Sequence, residues 1–207
     1  MSLPTVILAN GKFPRRGTEA YRLLSSASRV IACDGAADEF YHRLKRLPNY
    51  VVGDLDSVSE RLKKLLKPDQ LIHVAEQETN DLEKAIAYSR GREWNDIVIV
   101  GATGKREDHS LGNIFRAMQL KASVITECGV FEPFGPGTIE IAALPGSPIS
   151  IFATDPKTKM KSIGLEWPLD NVKFSTLYCA TLNRATSHKI EITSTRPAFI
   201  FKPFDHT

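Results

Sequence analysis

Four short segments in the first half of the chain set carboxylates among glycines and polar turn residues. They are Cys33-Asp34-Gly35, Gly53-Asp54-Leu55-Asp56-Ser57, Gln77-Glu78-Thr79-Asn80-Asp81 and Gly101-Ala102-Thr103-Gly104-Lys105-Arg106-Glu107-Asp108-His109. Asp54 and Asp56 stand at i and i+2, so an extended chain points both the same way and turns Leu55 toward the core. Two bare carboxylates about 4 Å apart repel by ~4 kcal/mol at an effective dielectric of about 20. A hard cation removes that repulsion and takes oxygen ligands. Mg²⁺ suits the role, because it is commonly held by one or two carboxylates together with substrate phosphates. Glycine lets backbone N–H groups come close to a phosphate chain. The chemistry these types and spacings suggest is cation-assisted work on a polyphosphate.

Each segment also has a plainer reading. Asp34 before Gly35 fits a simple turn. Ser57-x-x-Glu60 has capping-box spacing, which would leave Asp56 merely ahead of a helix. Asn80 with Glu83 is a second cap, with Asp81 at the first helical position, where negative charge suits the helix dipole. Gly101-x-x-Gly104 lacks full Walker spacing. Co-location favours the chemical reading, and co-location depends on the elements that carry the segments.

Up to about Cys128, apolar β-type runs alternate with helical patterns. The runs are Thr5–Asn10, Arg29–Asp34, Tyr50–Asp54, Gln70–Val74, Asp96–Ala102 and Ala122–Cys128. They are continuously apolar, as for strands buried on both faces. The helical patterns are Thr18–Ser25, Ala36–Leu47, Val58–Lys67, Asp81–Arg90 and Asp108–Leu120. Repeated βαβ units predict a doubly wound, mainly parallel sheet. In such sheets ligands bind outside the carboxyl ends of the strands, and the aspartate segments fall there. After about Phe131 Pro and Gly become frequent, and short β-type runs follow at Thr138–Ala143, Ile149–Ala153, Val172–Phe174, Lys189–Thr193 and Ala198–Phe201. This predicts a smaller all-β sandwich, with an α/β domain over 1–130 and the β domain over 131–207.

Composition narrows the classes. The chain has 207 residues, 42% of them hydrophobic, enough for a sizeable core without staples. Its 27 basic and 24 acidic residues are scattered, which argues against a nucleic-acid footprint. Three cysteines without C-x-x-C spacing argue against a disulfide framework or zinc ribbon and for a cytoplasmic setting. No apolar run reaches the roughly 20 residues of a membrane span. The start has no basic region followed by a long apolar one, so no secretory signal is expected.

The segments VILANG (6–11), Cys33-Asp34-Gly35, VGDLDS (52–57), QETNDLEKA (77–85) and GATGKREDHSLGN (101–113) together resemble the thiamine pyrophosphokinases, also called thiamine diphosphokinases. GLEWPL (164–169) is similar to a motif of that family's β-rich tail. The resemblance implies an N-terminal α/β domain, a C-terminal β-sandwich for thiamine binding and dimerisation, and a homodimer. It implies ATP and thiamine as substrates, with transfer of the β,γ-diphosphoryl group to the thiamine hydroxyl and release of AMP. Asp54, Asp56 and Asp81 would be Mg²⁺ ligands, with Gln77 near the metal. Asp34, Gly35, Thr103, Gly104, Arg106, Asp108 and Asn113 would form the nucleotide and phosphate site. Asp81 or Asp108 could orient or deprotonate the alcohol, and Arg106 or Lys105 could neutralise phosphate charge. Trp167 resembles the aromatic that stacks on thiamine, and Asn183 a thiamine-site residue. Leu182 stands where the family commonly has serine, and Gly35-Ala36-Ala37-Asp38 departs from the family's G-G-A-N. Another acceptor, a nucleotide-phosphate hydrolase or a non-catalytic sensor are the competing readings.

Overall fold

The apolar runs of the first half become six short strands in the computed structural model, which describes residues 4–204; the expectation about a leader falls partly on residues 1–3, outside that range. The strands are β1 (Thr5–Leu8), β2 (Val30–Cys33), β3 (Tyr50–Gly53), β4 (Leu71–His73), β5 (Ile97–Val100) and β6 (Ser123–Ile125). Between them lie α1 (Glu19–Ser26), α2 (Ala37–Leu44), α3 (Glu60–Leu65), α4 (Asp81–Gly91) and α5 (Glu107–Gln119). All six strands pair in parallel, in the order β6-β5-β1-β2-β3-β4. Every residue of β1 and β2 is buried, which is why these runs show no alternation. Helices α1 and α2 bury Ala20, Leu24 and Phe40 against Val6, Leu8 and Val30. Helices α2 and α3 bury Ala37 and Leu62 against Ala32 and Val51.

The order of strands decides where a ligand fits. The chain steps outward from β1 to β4, then returns past β1 to place β5 on its other side. Right-handed crossovers therefore put α4 on the opposite face of the sheet, against β1, β2 and β3. Connections from β1 and β5 leave in opposite directions, so a crevice opens at their carboxyl ends.

The starts of α1, α3 and α4 are fixed by side-chain caps. Thr18 accepts from the Tyr21 N–H at 3.3 Å, and Asn80 from the Glu83 N–H at 3.0 Å. The Ser57 capping box does not form. Ser59 is the N-cap of α3 and accepts from the Leu62 N–H at 3.2 Å. Asp38 accepts from both the Ser59 N–H and its hydroxyl, at 2.8 and 2.5 Å, which fixes Ser59 rather than Ser57 as the cap.

The chain forms two compact units that part between Glu127 and Cys128. Strand β7 (Gly129–Phe134) opens the second, so residues on both sides of the expected 130/131 boundary share one strand. The remaining strands are β8 (Gly137–Ala142), β9 (Pro148–Phe152), β10 (Met160–Ile163), β11 (Ala180–Arg184), β12 (Lys189–Ser194) and β13 (Ala198–Pro203). They form two antiparallel sheets, β11-β9-β13-β7 and β10-β12-β8. Ile151 and Ile200 of the first sheet pack in one core with Ile190 and Ile192 of the second, which makes a sandwich. Val172–Phe174 is not a strand. The Val172 N–H closes a turn onto Leu169 O at 3.1 Å, and Phe174 drops into the core from a loop. An apolar triplet can anchor a loop as well as build a strand.

Phe174 is 2% exposed, whereas Leu182 is 82% exposed and has left-handed backbone (φ 60°) at a bulge in β11. Phe174→Ala is expected to cost about 3–5 kcal/mol, and Leu182→Gly to leave stability within about 0.5 kcal/mol or raise it. Denaturant unfolding of the full chain reads both. The reverse ranking would mean that the loop carries no core residue.

Candidate active site

Asp34 follows β2, Asp54 and Asp56 follow β3, and those strands are neighbours. One carboxylate oxygen from each lies within 4.8 Å of the others. The two aspartates of β3 do not converge through extended chain. Leu55 has left-handed backbone, φ 63°, so a tight turn brings Asp56 beside Asp54, with the Asp56 N–H donating to Asp54 Oδ1 at 3.4 Å. Leu55 itself packs against the cluster of Ala32, Val51 and Leu62. The approach of the chains needs glycine at position 53. A Cβ there would fall 2.7 Å from Asp34 Cβ and 3.1 Å from Asp81 Oδ1.

Neutral donors hold these carboxylates. The Ser57 N–H donates to Asp34 Oδ2 at 3.2 Å, the Ser57 hydroxyl to Asp56 Oδ1 at 2.8 Å, and Gln77 Nε2 to Asp54 Oδ2 at 3.3 Å. Asp34 Oδ1 is buried and has no hydrogen-bond partner. Burial, with Asp54 and Asp81 nearby, pushes the Asp34 carboxyl up to about 6. The amide of Gln77 leads in holding Asp54 below the ordinary carboxylate range. Asp81, first residue of α4, borders the cluster through Gly53; burial raises it, and buried Lys84, 3.6 Å away, opposes the rise.

Asp108 stands apart from the three. It follows β5, and β1 lies between β5 and β2. Its carboxylate accepts two bonds from Arg106, at 3.1 and 2.6 Å, and one from the His109 N–H at 2.9 Å. Chiefly through Arg106 it is held down to about 2. Such a carboxylate is a poor proton acceptor at neutral pH.

A cavity of about 640 Å³ opens at the β1/β5 switch point, lined among others by Asn10, Gly11, Asp81, Thr103, Lys105 and Arg106. Its floor is tied by backbone bonds across the two strand ends, from the Gly11 N–H to Gly101 O at 2.7 Å and the Lys12 N–H to Thr103 O at 2.8 Å. Gly101 and Gly104 supply left-handed turns, φ 67° and 88°. Helix α5 is pinned to this loop by Asn113 Nδ2 on Ala102 O at 2.9 Å, and the Gly104 N–H donates to the Ser110 hydroxyl at 3.3 Å. Gly35 makes room for Asn10, since a Cβ there would meet Asn10 Nδ2 at 2.3 Å.

The donor set fits a divalent cation. One carboxylate oxygen each from Asp34, Asp54 and Asp56 meets in one small volume, the Asp34 carboxylate also carries a buried oxygen without a partner, and among the described residues only Lys84 forms an ion pair with the aspartate bordering them. Hard oxygen donors of this kind suit Mg²⁺ better than softer metals. Asp34 is the aspartate whose place in this set the sequence does not reveal, because the pairing of β2 with β3 is a fact of topology. Lys84 carries no signal beyond its i+3 spacing from Asp81.

In the second unit, Asn183 is buried and locks the backbone at Trp167. The Trp167 N–H donates to Asn183 Oδ1 at 3.2 Å, and Asn183 Nδ2 donates to Trp167 O at 2.7 Å. Trp167 is 53% exposed, with Leu182 exposed beside Asn183 in the chain.

An open parallel sheet with a switch-point cavity and convergent aspartates, followed by a β-sandwich, defines a two-domain α/β enzyme with an acidic site. Residues 20–127 match the family "Thiamin pyrophosphokinase, catalytic domain" and residues 129–201 match "Thiamin pyrophosphokinase, substrate-binding domain". The chain belongs to the thiamin pyrophosphokinase family. It is 25% identical to thiamine pyrophosphokinase 1 of Oryza sativa subsp. japonica over 202 residues, covering 82% of this chain and 75% of that protein. It is 29% identical to thiamine pyrophosphokinase of Bacillus subtilis over 103 residues, 46% of this chain and 48% of that protein. The crystal structure of thiamine pyrophosphokinase from Bacillus subtilis shares the fold, with a TM-score of 0.74, 21% identity, and coverage of 98% of this chain and all of that one.

The raised Asp34 carboxyl has a consequence for stability. A carboxyl raised by folding favours the fold below its ordinary range and loses that contribution as pH climbs through about 4 to 6. Asp34→Asn removes this loss. In EDTA the variant is expected to gain on the parent protein between pH 4 and pH 7, melting a few degrees higher at neutral pH, while Mg²⁺ stabilises the parent more than the variant. Thermal melts at the two pH values check it. A variant that melts lower at pH 7 and no lower at pH 4 would show that ionised Asp34 is favourably placed without a cation.

Proposed function

We propose that the chain transfers the β,γ-diphosphoryl group of ATP to the hydroxyethyl oxygen of thiamine, giving thiamine diphosphate and AMP. The observation that carries this reading is the meeting of Asp34, Asp54 and Asp56 beside Asp81 of the switch-point cavity, in a chain matched along both domains of the family. Asp34, Asp54 and Asp56 would hold Mg²⁺, with Asp81 next to them. A bound Mg²⁺ supplies charge neutralisation to phosphate oxygens and a template for their orientation.

The remaining work falls to the chain itself. Gln77 fixes the direction of Asp54. Left-handed turns at Gly101 and Gly104 give a phosphate chain close access to backbone, and Asn113 holds that loop from α5. Phosphoryl-type transfer needs little else than positioning and charge neutralisation. For the proton of the thiamine alcohol, Asp81 is the better acceptor, because burial raises it whereas Arg106 holds Asp108 low. Trp167 offers an indole face to the thiazolium cation, an attraction of ~0.5–2 kcal/mol. Asn183 sets the backbone from which that indole projects. Exposed Trp167, Tyr178 and Leu182 support a homodimer in which a second copy covers this apolar surface. Free thiols at Cys33 and Cys179 support a cytoplasmic setting.

Incubation with ATP, Mg²⁺ and thiamine, with products resolved by chromatography, tests the reading. AMP and thiamine diphosphate are expected. ADP with thiamine monophosphate would sink it, and nucleotide turnover indifferent to thiamine would move the acceptor elsewhere. Asp54→Asn is expected to lower kcat at least about a hundredfold with the fold retained; near-normal turnover would remove Asp54 from the site.

A further inference from the structure

We propose that Lys105, oriented by Asn10, is a binding group for the phosphate chain of the nucleotide, and that Asn10 is its positioning residue. The inference rests on the nucleotide reading above; it chooses Lys105 over Arg106 for the phosphate chain and adds Asn10 as the residue that positions it. It comes from the pairing of charges around the cavity. Arg106 lines the cavity but is spent on Asp108 through two bonds. Lys84 lies beside Asp81. Among the described residues Lys105 makes no ion pair; its ammonium donates to a neutral acceptor, Asn10 Oδ1, at 3.1 Å.

A neutral acceptor changes what the lysine can do. An ammonium has three donors. The amide takes one and cancels none of the charge, which leaves two N–H groups and a full positive charge for the cavity. An aspartate in place of Asn10 would instead neutralise it. The two residues also come from opposite sides of the switch point. Asn10 extends from β1 and Lys105 from the loop after β5, so their bond spans the crevice where the fold places a ligand. Both partners are held. Gly35 leaves space for the Asn10 amide, Gly104 packs its open face against Lys12, and the Ser110 hydroxyl accepts from the Gly104 N–H. The aspartate cluster lies on the β2/β3 side of the same sheet edge, so a polyanion across the edge would meet a cation-holding cluster at one side and a free ammonium at the other.

The test measures equilibrium binding of ATP with Mg²⁺ in the absence of thiamine, by calorimetry on the full chain. Both side chains are exposed, so substitution should leave the fold intact, as circular dichroism would verify. Lys105→Met is expected to weaken ATP about ten- to a hundredfold, the loss of one charge-assisted hydrogen bond. Lys105→Arg should recover part of the loss. Asn10→Ala should weaken ATP less, and the double variant should be no weaker than Lys105→Met alone, since Asn10 acts through the lysine. In turnover, the KM for ATP should rise and that for cationic thiamine should stay unchanged. Parent protein that binds no ATP would overturn the nucleotide reading and this proposal together. ATP binding by the parent that Lys105→Met leaves within twofold would overturn this proposal alone, and additive losses in the double variant would remove Asn10 from its role.

Discussion

Like charges held together against their repulsion are the constraint around which the first unit is arranged. Asp34, Asp54 and Asp56 crowd one end of the sheet, and Asp81 borders them with Lys84 as its sole ion-pair partner among the described residues. Left to themselves such groups would separate or take up protons. They stay because the surroundings fix them: two buried strands in register, a tight turn at Leu55, and neutral donors from Ser57 and Gln77. The negative field reaches the strand behind. Burial pushes the Cys33 thiol well up, and Asp81 and Asp34 push it further, so the sulfur stays an inert core atom. Strain of this kind is tolerable because the rest of the sheet is covered on both faces by apolar side chains.

What the sequence disclosed follows the strength of its periodicities. Strands such as Val6–Leu8 and Val30–Cys33 are apolar at every position, and only a two-sided sheet explains that, so the parallel α/β half was legible. The β half was harder. β10 and β11 include Lys161, Ser162, Thr181 and Asn183 and bury few of their residues, so they lack a clean alternation, while Val172–Phe174 has the right residues for a strand and sits in a loop.

The positions of the candidate residues at strand ends were legible in the sequence, but their grouping was not. Consecutive strand ends in the sequence suggest one shared edge for Asp34, Asp54, Asp56, Asp81 and Asp108. The order β5-β1-β2-β3 separates them: Asp34 joins the pair from β3, and Asp108 falls beyond β1 into a bidentate bond with Arg106. No spacing along the chain encodes which strand returns past β1. Nor does it encode that Trp167, in a loop, is fixed by an asparagine sixteen positions on.

The hydrogen atom that serves as the side chain of Gly53 coordinates nothing, donates nothing and stores no charge. Its value lies in the volume it leaves vacant between Asp34 and Asp81. The arrangement at this spot therefore depends on a residue with no functional group, and the smallest of exchanges, one methyl for one hydrogen, would force Asp34 or Asp81 to shift. Tolerance to mutation at position 53 is set by steric clearance.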